Sequence, residues 1–286
     1  MCLAPKIQYL PSAVRLAWTG PIAVSDGLPI RDSGPWIDDK HKLLNYYGDI
    51  FARGMKNKWP TRIYYELFSG PGRCLIRDSD QEAEGSPLQV LKHDFTRFIF
   101  TEIDAGLAEA LRARLANHPK ANLCEIWCSD CSEAIDSVSI PRGALTFAFV
   151  DPTGIGHAPF SLIERMNRKM RFDLLINIQH GMGIKMNMHQ YHPDANEQSA
   201  LTRFLGNEQW KELPMENPRS FFLGVLDLYK QQLGSLGFIA GGREVLISNT
   251  NNTPLYLLLF ASKSSRAQDF WDKSLKGVLP PELPLW

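Results

Sequence analysis

Apolar runs that stop on glycine or on an acid, with helical periods between them, constrain this chain more than any other feature. "RIYYELFSGPGR", "FTRFIFTEID", "ANLCEIWCSD", "ALTFAFVDPTG" and "FDLLINI" follow one another in order. Between them lie "GSPLQVLKHD", "AGLAEALRARLANH", "CSEAIDSV" and "FSLIERMNRKM", each with helical spacing or composition. Nearly continuous apolar strands are buried on both faces, and their alternation with helices predicts βαβ units and a mostly parallel sheet. The end of the chain breaks that rule. A helix in "SFFLGVLDLYKQQLGSLGF" precedes "REVLISNTNNTPLYLLLFASKS", two strands joined by an Asn/Thr/Pro turn. Such a hairpin requires one strand to run antiparallel to the rest.

Before the first strand, "DDKHKLLNYYGDIFARGM" predicts a helix with Leu43, Leu44, Tyr47, Ile50 and Phe51 on one side. Residues 1–35 carry Pro, Gly and scattered aromatics without periodicity and read as an irregular arm, so the principal domain is expected over 36–286. A polar insertion of about 179–219 follows the fifth strand; His180, His189 and His192 there read as part of a mobile loop over the substrate rather than as metal ligands. Lysine plus arginine equals aspartate plus glutamate at 31 each, which argues against gripping nucleic acid by bulk charge and leaves only a local patch open. Lys40, Lys42, Arg53, Lys56, Lys58 and Arg62 form such a cluster, read as a solvated helix face. The cysteine count of five, an odd number, suggests a reducing compartment, hence the cytoplasm. No apolar stretch approaches the roughly 20 residues that span a bilayer, and no secretory leader is read at the N-terminus.

In a doubly wound sheet, ligands bind at the carboxyl ends of strands where strand order reverses. The first strand ends in "FSGPGR", where Gly70 and Gly72 can take positive φ and let backbone approach a ligand, with Glu66 beside them as an acceptor for a cationic group. The second ends in "TEID", placing Glu102 and Asp104 where a carboxylate can accept from vicinal ribose hydroxyls. Asp130 after the third strand suits an adenine amino group, and Asp151 with Pro152 after the fourth faces the far end of such a ligand.

A parallel sheet closed by a hairpin is the Rossmann-like fold of class I S-adenosyl-L-methionine-dependent methyltransferases. "DKHKLLNYY", "YYELFSGPGR", "GSPL", "FTEID", "FAFVDPTG", "DLLINI" and "LTRFLGNEQW" resemble the three-Cys-motif partner protein family over about residues 36–275. "FSGPGR", "EGSPL", "TEID" and "DP" bear a looser likeness to adenine-N6 methyltransferases of large-subunit ribosomal RNA. The resemblance implies S-adenosyl-L-methionine as cofactor and a separate partner protein bearing three cysteines. It implies Glu66, Ser69, Gly70 and Gly72 at the methionine end, Glu102 on the ribose, Asp130 on the adenine, and Asp151 with Pro152 toward the methyl acceptor. The adenine-N6 pattern D/N-P-P-Y/F is here Asp151-Pro152-Thr153-Gly154, without the aromatic that would stack on a flipped base.

Cys124, Cys128 and Cys131 have the spacing of an iron–sulfur triad, but the first two sit four apart in a predicted strand, and core positions are expected. No metal is required. Three function classes stay open: a methyltransferase, with an amino group on a nucleobase or protein among the acceptors; a non-catalytic methyltransferase-like subunit working with a partner protein; and an NAD(P)-dependent oxidoreductase. The last is disfavoured because "GPGRCL" lacks the third small residue of G-x-G-x-x-G.

Overall fold

The computed structural model of the chain describes residues 5–77, 79–179, 199–241 and 244–278. The N-terminal arm holds β1 (Lys6–Tyr9) and β2 (Arg31–Ser33), ahead of α1 (Ile37–Gly54). After β3 (Thr61–Glu66) come the hairpin β4 (Arg73–Ile76) and β5 (Gln81–Glu84), and the short α2 (Ser86–Gln89). Alternation then sets in: β6 (Arg97–Glu102), α3 (Ala105–Leu115), β7 (Cys124–Cys128), α4 (Cys131–Ser137), β8 (Ala144–Val150), α5 (Phe160–Lys169) and β9 (Phe172–Gln179). The remainder is α6 (Ala200–Leu205), α7 (Pro218–Ser235), β10 (Ile239–Ala240), β11 (Val245–Ser248), β12 (Pro254–Ser262) and α8 (Ser265–Val278).

The main sheet has the order β1-β7-β6-β3-β8-β9-β12-β10, with β11 also on β12. Pairing is parallel from β1 through β9, while β12 is antiparallel to β9, β10 and β11, so the expected closing hairpin is present. Alternate residues of the central strands feed two cores. Ile63, Tyr65, Ala148 and Val150 pack with Ile135, Ile163 and Phe221 of α4, α5 and α7. Tyr64, Phe98, Phe147 and Phe149 face Leu44, Tyr47 and Leu111 of α1 and α3. This explains the unbroken apolar runs: both faces of each strand are covered, so neither parity has a wet side.

Helix α1 is locked on by more than apolar contact. Its Tyr47 hydroxyl donates to Asp173 at the start of β9 (2.8 Å), and Ser262 at the end of β12 donates to the same carboxylate. Tyr47 also packs edge-on against Phe147 at 4.9 Å between ring centroids. Burial pushes the Asp173 pKa up to about 6, against the pull of its two hydroxyl donors.

Several expectations need correction. The arm is not wholly irregular: β1 extends the sheet beyond β7, and β2 joins β4 and β5 in a second small sheet. Four- and three-residue strands offer too little periodicity to read, and their partners are distant in sequence. Residues 199–219 of the anticipated polar insertion are not a loose cover, because Leu201, Phe204, Leu205 and Trp210 are buried in the core. His180, His189 and His192 lie outside the described residues. No described helix is long and apolar enough to cross a membrane.

Asp173 yields a pH prediction. Its folded pKa lies above the unfolded one, so its contribution is fully present below about pH 4 and is lost as pH rises through about 6. The stability difference between wild type and Asp173→Asn should therefore move by about 2–3 kcal/mol, against the wild type, between pH 4 and 7. Urea denaturation of both proteins across that range checks it; parallel curves would mean that the carboxyl titrates normally.

Candidate functional site

Strands β3, β6, β7 and β8 are parallel, so their carboxyl ends share one edge of the sheet. The chain steps outward from β3 to β6 and β7, then returns to β8 on the other side of β3. In sheets of this kind such a reversal marks the ligand crevice, here above β3, and the loop Phe68–Gly72 lies at that position.

The loop is held by its neighbours. Ser69 donates from its N–H (2.9 Å) and its hydroxyl (3.1 Å) to the Thr101 carbonyl of β6. Gly70 is at φ +63° and donates its N–H to the Glu102 carboxylate at 2.9 Å. Gly72 is at φ +83°, where a Cβ would come within 2.9 Å of Leu111 Cδ1 on α3. Its carbonyl accepts from the Gly85 N–H at 2.8 Å, so this turn is wedged between α3 and the start of α2.

Glu102 is the acid that faces this loop. One oxygen takes the Gly70 bond, the other accepts from the Asp104 N–H at 3.0 Å, and the Arg31 guanidinium of β2 stands 3.4 Å away. Asp104 instead caps α3 by accepting from the Leu107 N–H. Asp130 has a similar structural duty, since its carboxylate caps α4 through the Ser132 N–H at 2.8 Å and is exposed. The arm crosses here: Leu10 donates to Cys128, Val14 to Ile103, and Ser12 accepts from the Asp130 N–H at 2.6 Å. The ends of β6 and β7 are thus stitched to residues 10–14 of the arm, which has no periodicity of its own.

On the other side of the crevice, Asp151 is ion-paired to Lys40 of α1 and accepts from Asn177 of β9 at 2.6 Å. Burial works against the Lys40 ammonium, but the Asp151 carboxylate outweighs it and raises the Lys40 pKa. Pro152 is buried, and its carbonyl accepts from the Gln179 amide at 2.9 Å. Glu66, fully buried, accepts from Tyr64 at 2.9 Å and from Ser86. Burial carries its pKa to about 8, with the Asp151 charge adding to the rise and Lys40 opposing it. The edge also holds buried polar atoms without a hydrogen-bond partner: Arg31 Nε beside Glu102, Ser129 Oγ before Asp130, and Asn177 Oδ1 next to Asp151. Leaving such atoms unpaired is costly, so polar groups brought to this edge from outside the chain would offset that cost.

The structure therefore joins Ser69, Gly70 and Glu102 in one unit, and Asp151 and Pro152 in another with β9. Asp130 remains a helix cap. Lys40, Asn177, Gln179 and Arg31 were missed. Lys40 was taken for a solvated cation, although Asn177 and Gln179 as polar residues alternating in an apolar strand could have flagged the site. The rest of the basic cluster divides: Lys42, Arg53 and Lys56 are ion-paired at the surface, and Arg62 is buried on the carbonyls of Trp59, Pro60 and Asp94. Cys124 and Cys128 lie in the core under α1 and α3, Cys131 in the opposite core, and burial pushes all three thiols upward. His157 is exposed beside Thr153.

No family model matches this chain, and no curated protein matches it in sequence. Solved structures do match. LPL1258 of Legionella pneumophila, of the DUF519 family, aligns with a TM-score of 0.52 at 11% identity, over 87% of this chain and 94% of its own. The Escherichia coli candidate methyltransferase yhhF aligns at 0.45 and 14%, over 83% and 92%. Spermidine synthase of Thermotoga maritima aligns at 0.47 and 16%, over 91% and 72%. The likeness to LPL1258 is one of fold, and it agrees with the strand order: a Rossmann-like α/β sheet closed by an antiparallel hairpin.

The wedge at Gly72 is testable. Gly72→Ala adds a Cβ at positive φ against Leu111 and should destabilise by about 1–2 kcal/mol, whereas Gly143→Ala, with open space around it, should change stability by about 0.5 kcal/mol or less. Equal denaturation midpoints for the two variants would contradict a tight loop.

Proposed function

We propose that this chain is an S-adenosyl-L-methionine-dependent methyltransferase. The carrying observation is the bond from the Gly70 N–H to Glu102, which puts a positive-φ glycine loop and an acid from adjacent parallel strands on one side of the switch point. A nucleoside ligand needs close backbone approach and a carboxylate for its ribose hydroxyls at that place. Glu102 holds the ribose, Ser69, Gly70 and Gly72 line the methionine end, and Glu66 lies beneath as a carboxyl held near neutrality until a cationic group draws its proton off. Asp130 approaches the adenine from the cap of α4. The cofactor when bound supplies an electrophilic methyl on a sulfonium, so the work left to the chain is positioning and electrostatics.

Asp151, Pro152 and Asn177 then receive the acceptor. Each Asp151 oxygen accepts one bond and has capacity for another, the Pro152 carbonyl has a second lone pair, and Asn177 Oδ1 has no partner. Such a set of acceptors suits an N–H nucleophile, as on an amine or amide, with Lys40 holding the carboxylate in orientation. We extend the reading to the three-Cys-motif partner family that the motifs resemble, to a three-cysteine partner protein, and to a reducing cytoplasm. The Lys40 charge that offsets Asp151 favours a second reading, a methyltransferase-like subunit that acts only with its partner.

Calorimetry with S-adenosylhomocysteine and NAD tests the first reading: the former binds, the latter does not. Glu102→Gln should weaken S-adenosylhomocysteine by about 1.5–3 kcal/mol, the range for a hydrogen bond to a charged group. Undiminished affinity in a folded Glu102→Gln protein removes Glu102 from the site, and NAD binding alone overturns the reading. A further outcome concerns chemistry. Asp151→Asn should leave cofactor affinity within a few-fold while labelled-methyl transfer to an acceptor found by screening falls about 10²-fold. Transfer seen only with a partner present selects the second reading, and lost cofactor binding would move Asp151 into the cofactor site.

A further inference from the structure

The opposite edge of the sheet carries a different chemistry. A cavity of about 800 Å³ opens at the amino ends of β8 and β9, bounded by the turn after α1, the end of β12 and the start of α8. Because β12 is antiparallel, its carboxyl end falls at this edge, which brings Lys263 and Arg266 beside Arg142, Arg168 and Arg171. Lys58 makes six cations on exposed residues, while a seventh in the lining, Lys169, is half-buried and donates to the Ile135 and Asp136 carbonyls. None of the six is ion-paired with a described carboxylate. The acid of the lining, Asp173, is buried and already engaged by Tyr47 and Ser262. In a chain of zero net charge this is a local surplus of cations, with the compensating acids placed elsewhere.

The form of the surplus indicates the ligand. The cations come from separate segments around a rim, and no buried donors converge on a point. A single phosphate could not meet them all, whereas a chain of regularly spaced charges could. Trp59, half-buried in the same lining, packs against the core, and the Arg171 guanidinium lies over its ring, 5.2 Å from the centroid, so ring and cation stand together in the cavity. Exposed cations beside an aromatic face are the elements of single-strand binding: charge tracks the backbone and the ring stacks a base. We propose that this cavity binds single-stranded nucleic acid through its phosphodiester backbone, with Trp59 as the stacking surface. The site lies across the sheet from the crevice and does not depend on the methyltransferase reading.

Fluorescence anisotropy of a labelled single-stranded RNA of about 12 nucleotides, with the full chain and no cofactor, tests this. Log affinity should fall linearly with log salt. Arg142→Gln, Arg168→Gln, Arg171→Gln and Arg266→Gln combined should weaken binding at low salt at least about 10-fold and flatten the slope by about 0.7 per charge that contacts a phosphate. Removing the same number of charges at Lys6, Lys92, Arg112 and Lys211, away from the cavity, should leave affinity and slope near wild type. Trp59→Leu should weaken binding and leave the slope unchanged. Should the combined variant fail to fold, Arg142→Gln and Arg266→Gln alone still report through the slope. The proposal is overturned by absence of RNA binding to wild type at low salt, or by equal losses in the cavity and control variants. Binding of ATP but not RNA would overturn it too, marking the cavity as a free-nucleotide site.

Discussion

Strand β3 is hydrogen-bonded in parallel on both sides, and the loop that leaves it stays pinned to both neighbours in turn. Leu67 donates to Phe149 of β8 at 3.1 Å, and two residues later Ser69 donates to Thr101 of β6 at 2.9 Å. A backbone held alternately from left and right cannot drift as it rises from the sheet. Gly70 therefore meets Glu102 in a fixed geometry, and the turn at Gly72 has nowhere to go but between α3 and α2. The crevice is a consequence of that strand's central place, since β6 and β8 are approached by chain segments running to opposite sides.

The buried carboxylates here are assigned partners, and most of those partners come from elements distant in sequence. Lys40 of α1 neutralises Asp151 after β8, Tyr47 of the same helix and Ser262 of β12 serve Asp173, and Tyr64 with Ser86 serve Glu66. Helix α1 thus contributes to both ends of the sheet, Lys40 supplying a charge to the crevice and Tyr47, about two turns on, a hydroxyl to the floor of the basic cavity. The two edges differ in sign: acids gather at the carboxyl ends of the strands, and cations without a carboxylate partner among the described residues at the amino ends of β8 and β9. A net charge of zero conceals that separation.

The fold was legible because burial on both faces of a parallel strand leaves an unbroken apolar run, and the runs here are long enough to count. Loop chemistry was legible where a residue type is irreplaceable: Gly70 and Gly72 do take positive φ. Local pattern carried less about duty. Asp104 and Asp130 follow strands as Glu102 and Asp151 do, yet both cap helices, because a carboxylate one residue before a helix finds orphan N–H groups at once. Lys40 and Arg62 looked like their solvated neighbours in "DKHK" and "WPTR", since helical spacing and charge do not reveal which cation a distant strand end will bury.

The sequence by itself determined the strand–helix alternation, the closing hairpin and the glycine turn, all of which follow from periodicity and φ preferences acting over a few residues. Tertiary structure alone decided that Arg31 and residues 10–14 lie at the crevice, that Asn177 and Gln179 reach Asp151 and Pro152, and that six exposed cations ring one cavity. Those contacts join segments tens to more than a hundred residues apart, and they are set by strand order and sheet register, which no local pattern encodes.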